Sequence, residues 1–105
     1  MEIPQIQIHQ AKERLDHKEG TFVDIRDSAS YGAAHIPGAL HLHDANLQEF
    51  VQNTDKEKPL VVYCYHGNSS LGAVAYLIEN GFKNVASMSG GFEAWRQVYA
   101  HVAES

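Results

Sequence analysis

With 105 residues, 44% of them apolar, the chain has material for one domain and one core, not two. A formal net charge of -5 argues against nucleic acid and against an anionic membrane surface as partners, so any anion site must be made locally. The single cysteine excludes an internal disulfide and a cysteine-based zinc cluster, and a free thiol kept for chemistry fits a reducing compartment.

The first residues, Met1 to Ile6, show no basic stretch followed by an apolar one, so no signal peptide is expected. No apolar run approaches the roughly 20 residues needed to span a bilayer, and the expected location is the cytoplasm. Gln5-Ile6-Gln7-Ile8 alternates and predicts a short edge strand. His9 to Glu19 predicts a helix with Ala11, Leu15 and the stem of Lys12 inward, closed by Gly20. Thr21 to Ile25 is mostly apolar, as expected of a strand covered on both faces. Asp27 or Ser28 can cap a short helix through Tyr31. His35 to Ala39 predicts a turn leading into the strand Leu40 to Leu42. Asp44 to Gln52 predicts a helix with Leu47, Phe50 and Val51 inward. Pro59 precedes the strand Leu60 to Tyr63; a helix then runs to Asn80-Gly81; Val85 to Met88 is the last strand. Gly90-Gly91 opens a final helix with Phe92, Trp95 and Val98 or Tyr99 on one face. Strands alternating with helices at this spacing predict an α/β sandwich with a parallel sheet, whose ligands sit beyond the carboxyl ends of the strands.

Cys64 stands at such an end, directly before Tyr65-His66-Gly67-Asn68-Ser69-Ser70. Strand, tight loop and helix in this order let backbone N–H groups converge on one thiol, an arrangement that binds anions and favours the thiolate. Gly67 permits a positive φ, Asn68 tolerates one, and Ser69 and Ser70 suit the first helical turn, where their hydroxyls can cap or enter the pocket. An inert buried cysteine is the bland alternative, and the polar, turn-prone loop weighs against it. Cysteine phosphatases place an arginine six residues after the nucleophile to bind phosphate bidentately. Here that position is Ser70, and no Arg or Lys occurs from Cys64 through Phe82. A soft sulfur donor with a smaller charge demand fits the loop better than a phosphate dianion.

Three motifs now stand in order: Val23-Asp24-Ile25-Arg26-Asp27 with Tyr31 to Ala39, Cys64 to Ser70, and Ser89-Gly90-Gly91-Phe92-Glu93-Ala94-Trp95. Together they resemble the rhodanese family, and most closely its small single-domain thiosulfate sulfurtransferases. The resemblance implies a three-layer α/β/α sandwich with a central, mostly parallel five-stranded sheet. It implies one rhodanese domain over residues 1–105, with the motifs in about 17–105. It further implies that Cys64 attacks the sulfane sulfur of thiosulfate, releases sulfite and carries a persulfide, in two half-reactions. Tyr65, His66, Gly67, Asn68, Ser69 and Ser70 would cradle that persulfide. Cyanide, a dithiol or reduced thioredoxin would accept the sulfur, with no cofactor and no metal. A place in assimilating thiosulfate sulfur toward cysteine is suggested by the resemblance alone. Many family members carry a basic residue at or just past the end of the loop; here Leu71 stands there, which predicts weak thiosulfate binding.

Asp24 and Arg26 at the neighbouring strand end are expected to brace the loop, with Arg26 the nearest candidate cation. His35 is expected to fix the Ile36-Pro37-Gly38 turn and Tyr65 to shape the cup; His66 can meet the donor or polarise the site, or simply be solvated, and a catalytic role for it is not favoured. His41 and His43 can share a strand face, but a metal site needs more ligands. Two other functions stand beside sulfur transfer. A cysteine phosphatase or arsenate reductase is disfavoured by Ser70. A rhodanese-like partner-binding module that has lost its chemistry is disfavoured by Cys64 in an intact loop, and a persulfide carrier with a protein donor lies between that module and sulfur transfer.

Overall fold

The computed structural model describes residues 2–103. In chain order the elements are β1 (Gln5–Ile6), α1 (Ile8–Asp16), β2 (Thr21–Asp24), α2 (Ser28–Ala33), β3 (Leu40–His41), α3 (Leu47–Asn53), β4 (Leu60–Tyr63), α4 (Ser69–Glu79), β5 (Val85–Met88) and α5 (Gly91–Arg96). All five strands pair in parallel, in the order β1-β5-β4-β2-β3. The central strands β4 and β5 are buried at every position, because helices cover both faces of the sheet.

Alternation along the strands sorts two cores. Phe22, Val61, Tyr63, Ala86 and Met88 join Ala11, Phe92 and Trp95, which belong to α1 and α5. Val23, Leu60, Val62 and Val85 join Val74 and Leu77 of α4, with Leu47, Phe50 and Val51 of α3 packed against them. This is the expected three-layer sandwich, with helices split between the faces.

Several boundaries differ from the sequence reading. The first strand stops at Ile6, since Gln7 N–H donates to Gln10 Oε1 at 3.0 Å and starts α1 instead. That helix ends at Asp16, and Lys18, at φ 55°, takes the left-handed closing position expected for Gly20. Gly20 serves the next connection: at φ 95°, an added Cβ would lie 2.6 Å from the Pro59 carbonyl oxygen. Residues 44–46 form a turn, not helix, because Asn46 Oδ1 accepts from His43 N–H at 2.8 Å. The last helix stops before Val98, which is 63% exposed, whereas Tyr99 packs its ring 4.9 Å from Trp95.

Asp27 caps α2 as expected, its carboxylate accepting from Ser30 N–H and Ser30 Oγ. The helix runs two residues past Tyr31, to Ala33.

Candidate active site

Parallel pairing brings the ends of β2, β4 and β5 to one edge of the sheet, and Cys64 follows β4 there. The thiol is nearly buried, at 6% exposure. Its Sγ lies 3.2 Å from Gly67 N, 3.3 Å from Ser70 N and 3.3 Å from Ser70 Oγ. Burial pushes the thiol up. The Ser70 hydroxyl and the amides of Ser70, Gly67 and His66 outweigh that, so the net displacement is downward, toward the thiolate.

The loop's shape is set from outside it. Phe92 N–H donates to the Cys64 carbonyl and Glu93 N–H to the Tyr65 carbonyl, both at 2.9 Å. In a trans peptide the N–H points opposite to the C=O. Holding those two carbonyls on α5 therefore turns the Tyr65 and His66 amides away from α5, and the His66 amide acts on the sulfur. Gly67 alone in the loop takes a positive φ, 96°. Asn68, which was expected to tolerate that region, is right-handed at φ -88°, ψ -52° and stands as the N-terminal flank of α4. Ser69 is exposed, whereas Ser70 is fully buried with its hydroxyl between two partners: Cys64 Sγ, and Ser87 Oγ at 2.7 Å.

Asp24 and Arg26 form a buried ion pair. Arg26 Nη2 donates to Asp24 Oδ2 at 2.7 Å and to the Ala34 carbonyl at 2.5 Å, and Asp24 Oδ1 accepts from Arg26 N at 2.8 Å. The guanidinium lies 4.2 Å from the Phe92 ring centre and 5.5 Å from that of Tyr65. It thus props the wall of the loop by its face while its edge is used by Asp24. Tyr65 is 41% exposed and lines a recess of about 390 Å³ with Arg26, Phe92, Arg96 and His101. Both arginines there are committed, Arg96 to Glu93 at 2.8 Å and Arg26 to Asp24.

Among the described residues the His35 ring makes no hydrogen bond to the Ile36-Pro37-Gly38 turn. Its Nδ1 bonds the Tyr31 carbonyl at 2.7 Å, and its ring stacks on Tyr31 at 4.0 Å, because the last turn of α2 offers that acceptor four residues back. Ile36 N–H instead donates to the Tyr63 hydroxyl at 3.1 Å. His66 is exposed beside Tyr65, ring centres 5.3 Å apart. His41 Nε2 is used by the Arg26 carbonyl at 2.7 Å, and His43 Nδ1 accepts from Ala45 N–H. Trp95 is wholly core, while Phe92 also lines the recess.

Sequence reasoning missed the backbone grip of Phe92 and Glu93 and the hydroxyl of Ser87. Neither has a local signal; both act across gaps of more than 15 residues.

The sequence and the fold have known relatives. A model of the Rhodanese-like domain matches residues 7–98. The chain is 44% identical over 104 residues to the thiosulfate sulfurtransferase GlpE of Pseudoalteromonas translucida (strain TAC 125), covering 99% of each protein. It is 47% identical over 98 residues to the protein of that name from Tolumonas auensis (strain DSM 9187 / NBRC 110442 / TA 4), covering 93% of this chain and 92% of the relative. A crystal structure of a rhodanese-related protein from Thermoplasma volcanium superposes with a TM-score of 0.84 at 26% identity, covering 96% of this chain and 99% of that one. With the cysteine loop, its α5 grip and the parallel sheet in place, the chain belongs to the rhodanese family.

Proposed function

We propose that this protein is a thiosulfate sulfurtransferase working through a Cys64 persulfide, as one rhodanese domain over residues 1–105. The observation that carries the reading is a sulfur held by the Gly67 and Ser70 amides and the Ser70 hydroxyl, in a loop without an arginine. Relatives named thiosulfate sulfurtransferase at 44–47% identity support it.

The thiolate attacks the sulfane sulfur of thiosulfate. A new S–S bond forms to Cys64, the S–S bond of thiosulfate breaks, and sulfite leaves with the electron pair. The persulfide anion remains in the bowl of amides from Tyr65 to Ser70, where fixed N–H dipoles meet its charge without reorganising. Attack by cyanide on the outer sulfur gives thiocyanate and restores the thiolate. A dithiol such as reduced thioredoxin takes the sulfur with one thiol and expels it as sulfide with the other, ending as a disulfide. No general base is needed once the thiol is ionised. Among the described residues no helix is long and apolar enough to cross a membrane. A nucleophile that must stay a free thiol suits a reducing compartment such as the cytoplasm.

Intact-protein mass after brief exposure to thiosulfate tests this directly. The parent gains one sulfur, about 32 Da, as covalent catalysis requires, and Cys64→Ser gains nothing. An unchanged mass on a parent whose thiol still alkylates removes thiosulfate as the donor.

A second reading, a protein persulfide as donor, draws on Leu71. It sits half-buried in the first turn of α4, directly after the loop. Leu71→Lys is expected to raise kcat/KM for thiosulfate about fivefold at low salt, the worth of roughly 1 kcal/mol from one partly exposed charge, and to lose the gain in salt. Unchanged kinetics in that variant remove the argument for weak thiosulfate binding.

A further inference from the structure

Ser87 lies on β5, on the same face as Val85 and so toward α4. Its side chain is fully buried, in a position where an apolar residue is the default for a central strand. Its Oγ is 2.7 Å from Ser70 Oγ, which is in turn 3.3 Å from Cys64 Sγ. Among the described residues Ser70 is the only hydrogen-bond partner of the Ser87 hydroxyl.

Each hydroxyl has one proton to give. A buried O–H that donates to nothing is costly, so Ser87 donates to Ser70 Oγ. The Ser70 proton is then left for the sulfur. That orientation suits a sulfur bearing negative charge, and a chain of two hydroxyls polarises toward it. A protonated sulfur, donating its S–H to Ser70 Oγ, brings a third proton to a chain with two links, so one of the three protons has no acceptor within it. We infer that Ser87 is a positioning residue for sulfur transfer: its buried hydroxyl aims the Ser70 hydroxyl at Cys64 Sγ and so favours the anionic sulfur, both thiolate and persulfide. The inference rests on the sulfurtransferase reading for its chemistry, and on the three distances for its geometry.

The charged and titratable groups around the site are Asp24 at the end of β2 and Arg26 after it, Tyr63 on β4, Tyr65 and His66 in the loop, and Glu93 and Arg96 on α5. Among the described residues none of their side chains bonds Sγ, so the two serines are the side-chain polar groups that do so or act on one that does.

The test is the pH dependence of Cys64 alkylation by iodoacetamide, which reads the thiolate whatever the donor. Ser87→Ala is expected to move the midpoint up by about half a pH unit, so that alkylation and kcat/KM fall about threefold on the acid limb and not on the alkaline plateau. Ser87→Thr keeps the hydroxyl and is expected to keep the midpoint. In a Ser70→Ala background, Ser87→Ala is expected to add nothing. A Ser87→Ala midpoint equal to the parent's, with or without a lower Tm, overturns the inference. So does a Ser87→Thr midpoint shifted like an alanine's, or a further shift in the Ser70→Ala background. A parent that alkylates with a low midpoint yet gains no sulfur from thiosulfate instead sinks the proposed function and leaves the positioning role readable.

Discussion

Cys64→Ser is expected to lower kcat/KM for sulfur transfer about a thousandfold or more, the scale seen when a covalent nucleophile is removed from an intact site. A serine hydroxyl at that position is not ionised by two amides and a neighbouring hydroxyl, and oxygen does not displace sulfite to hold a sulfane sulfur. The residual rate would come from binding alone. The parent should also show a rate that climbs with the thiolate fraction on the acid side. Burial raises the thiol, but the Ser70 hydroxyl and the amides of Ser70, Gly67 and His66 lower it further, so the rate midpoint falls below the ordinary thiol value. The same displacement links to stability. The folded state holds the proton less tightly than the unfolded chain, so these hydrogen bonds contribute in full above the unfolded thiol's pKa. Their contribution is lost as the pH falls through the lower folded value. Steady-state kinetics across pH, run beside circular dichroism to show that Cys64→Ser folds, checks both points. A rate that ignores pH across the acid range would contradict an ionising thiol.

Gly91→Ala should be the most damaging change outside the loop. Gly91 has φ 61°, and a Cβ added there would lie 2.5 Å from the Tyr65 carbonyl oxygen and 2.7 Å from that of Cys64. These are backbone atoms, and they are the acceptors of Phe92 and Glu93 N–H. No rotamer relieves the contact; α5 has to part from the loop. Left-handed strain of about 1–3 kcal/mol and overpacking of about 1–3 kcal/mol together predict a loss of about 2–6 kcal/mol, a large share of a small domain's stability. Where the protein still folds, the released carbonyls let the Tyr65 and His66 amides swing out of the bowl, and the thiol midpoint should rise. Gly72→Ala is the matched control. Gly72 lies inside α4 with nothing within 4 Å of an added Cβ, and there alanine should stabilise by about 0.5–1 kcal/mol. Denaturant unfolding of the two variants beside the parent should therefore give opposite signs, and a Gly91→Ala midpoint equal to the parent's would refute the grip.

What was legible from sequence alone was local. Leu60–Tyr63 and Val85–Met88 appear with the predicted bounds, because four apolar or small residues between turn formers leave one way to bury both faces. Cys64 and the glycine that bends its loop were readable for the same reason: a strand end, a positive-φ residue and a helix start lie within seven positions. The edges were less legible. Gln5 to Ile8 alternates in a way that suits a strand or the start of a helix, and only the pairing of Gln5 and Ile6 with Ser87 and Met88 chooses. The tertiary structure decided how the site is held. It placed the Phe92 and Glu93 amides on the carbonyls of Cys64 and Tyr65, His35 on Tyr31, and Ser87 behind Ser70. Hydrogen bonds from a distant backbone leave no trace in the side chains that make them. A buried serine on a strand reads as an ordinary small residue until the helix packed against it is known.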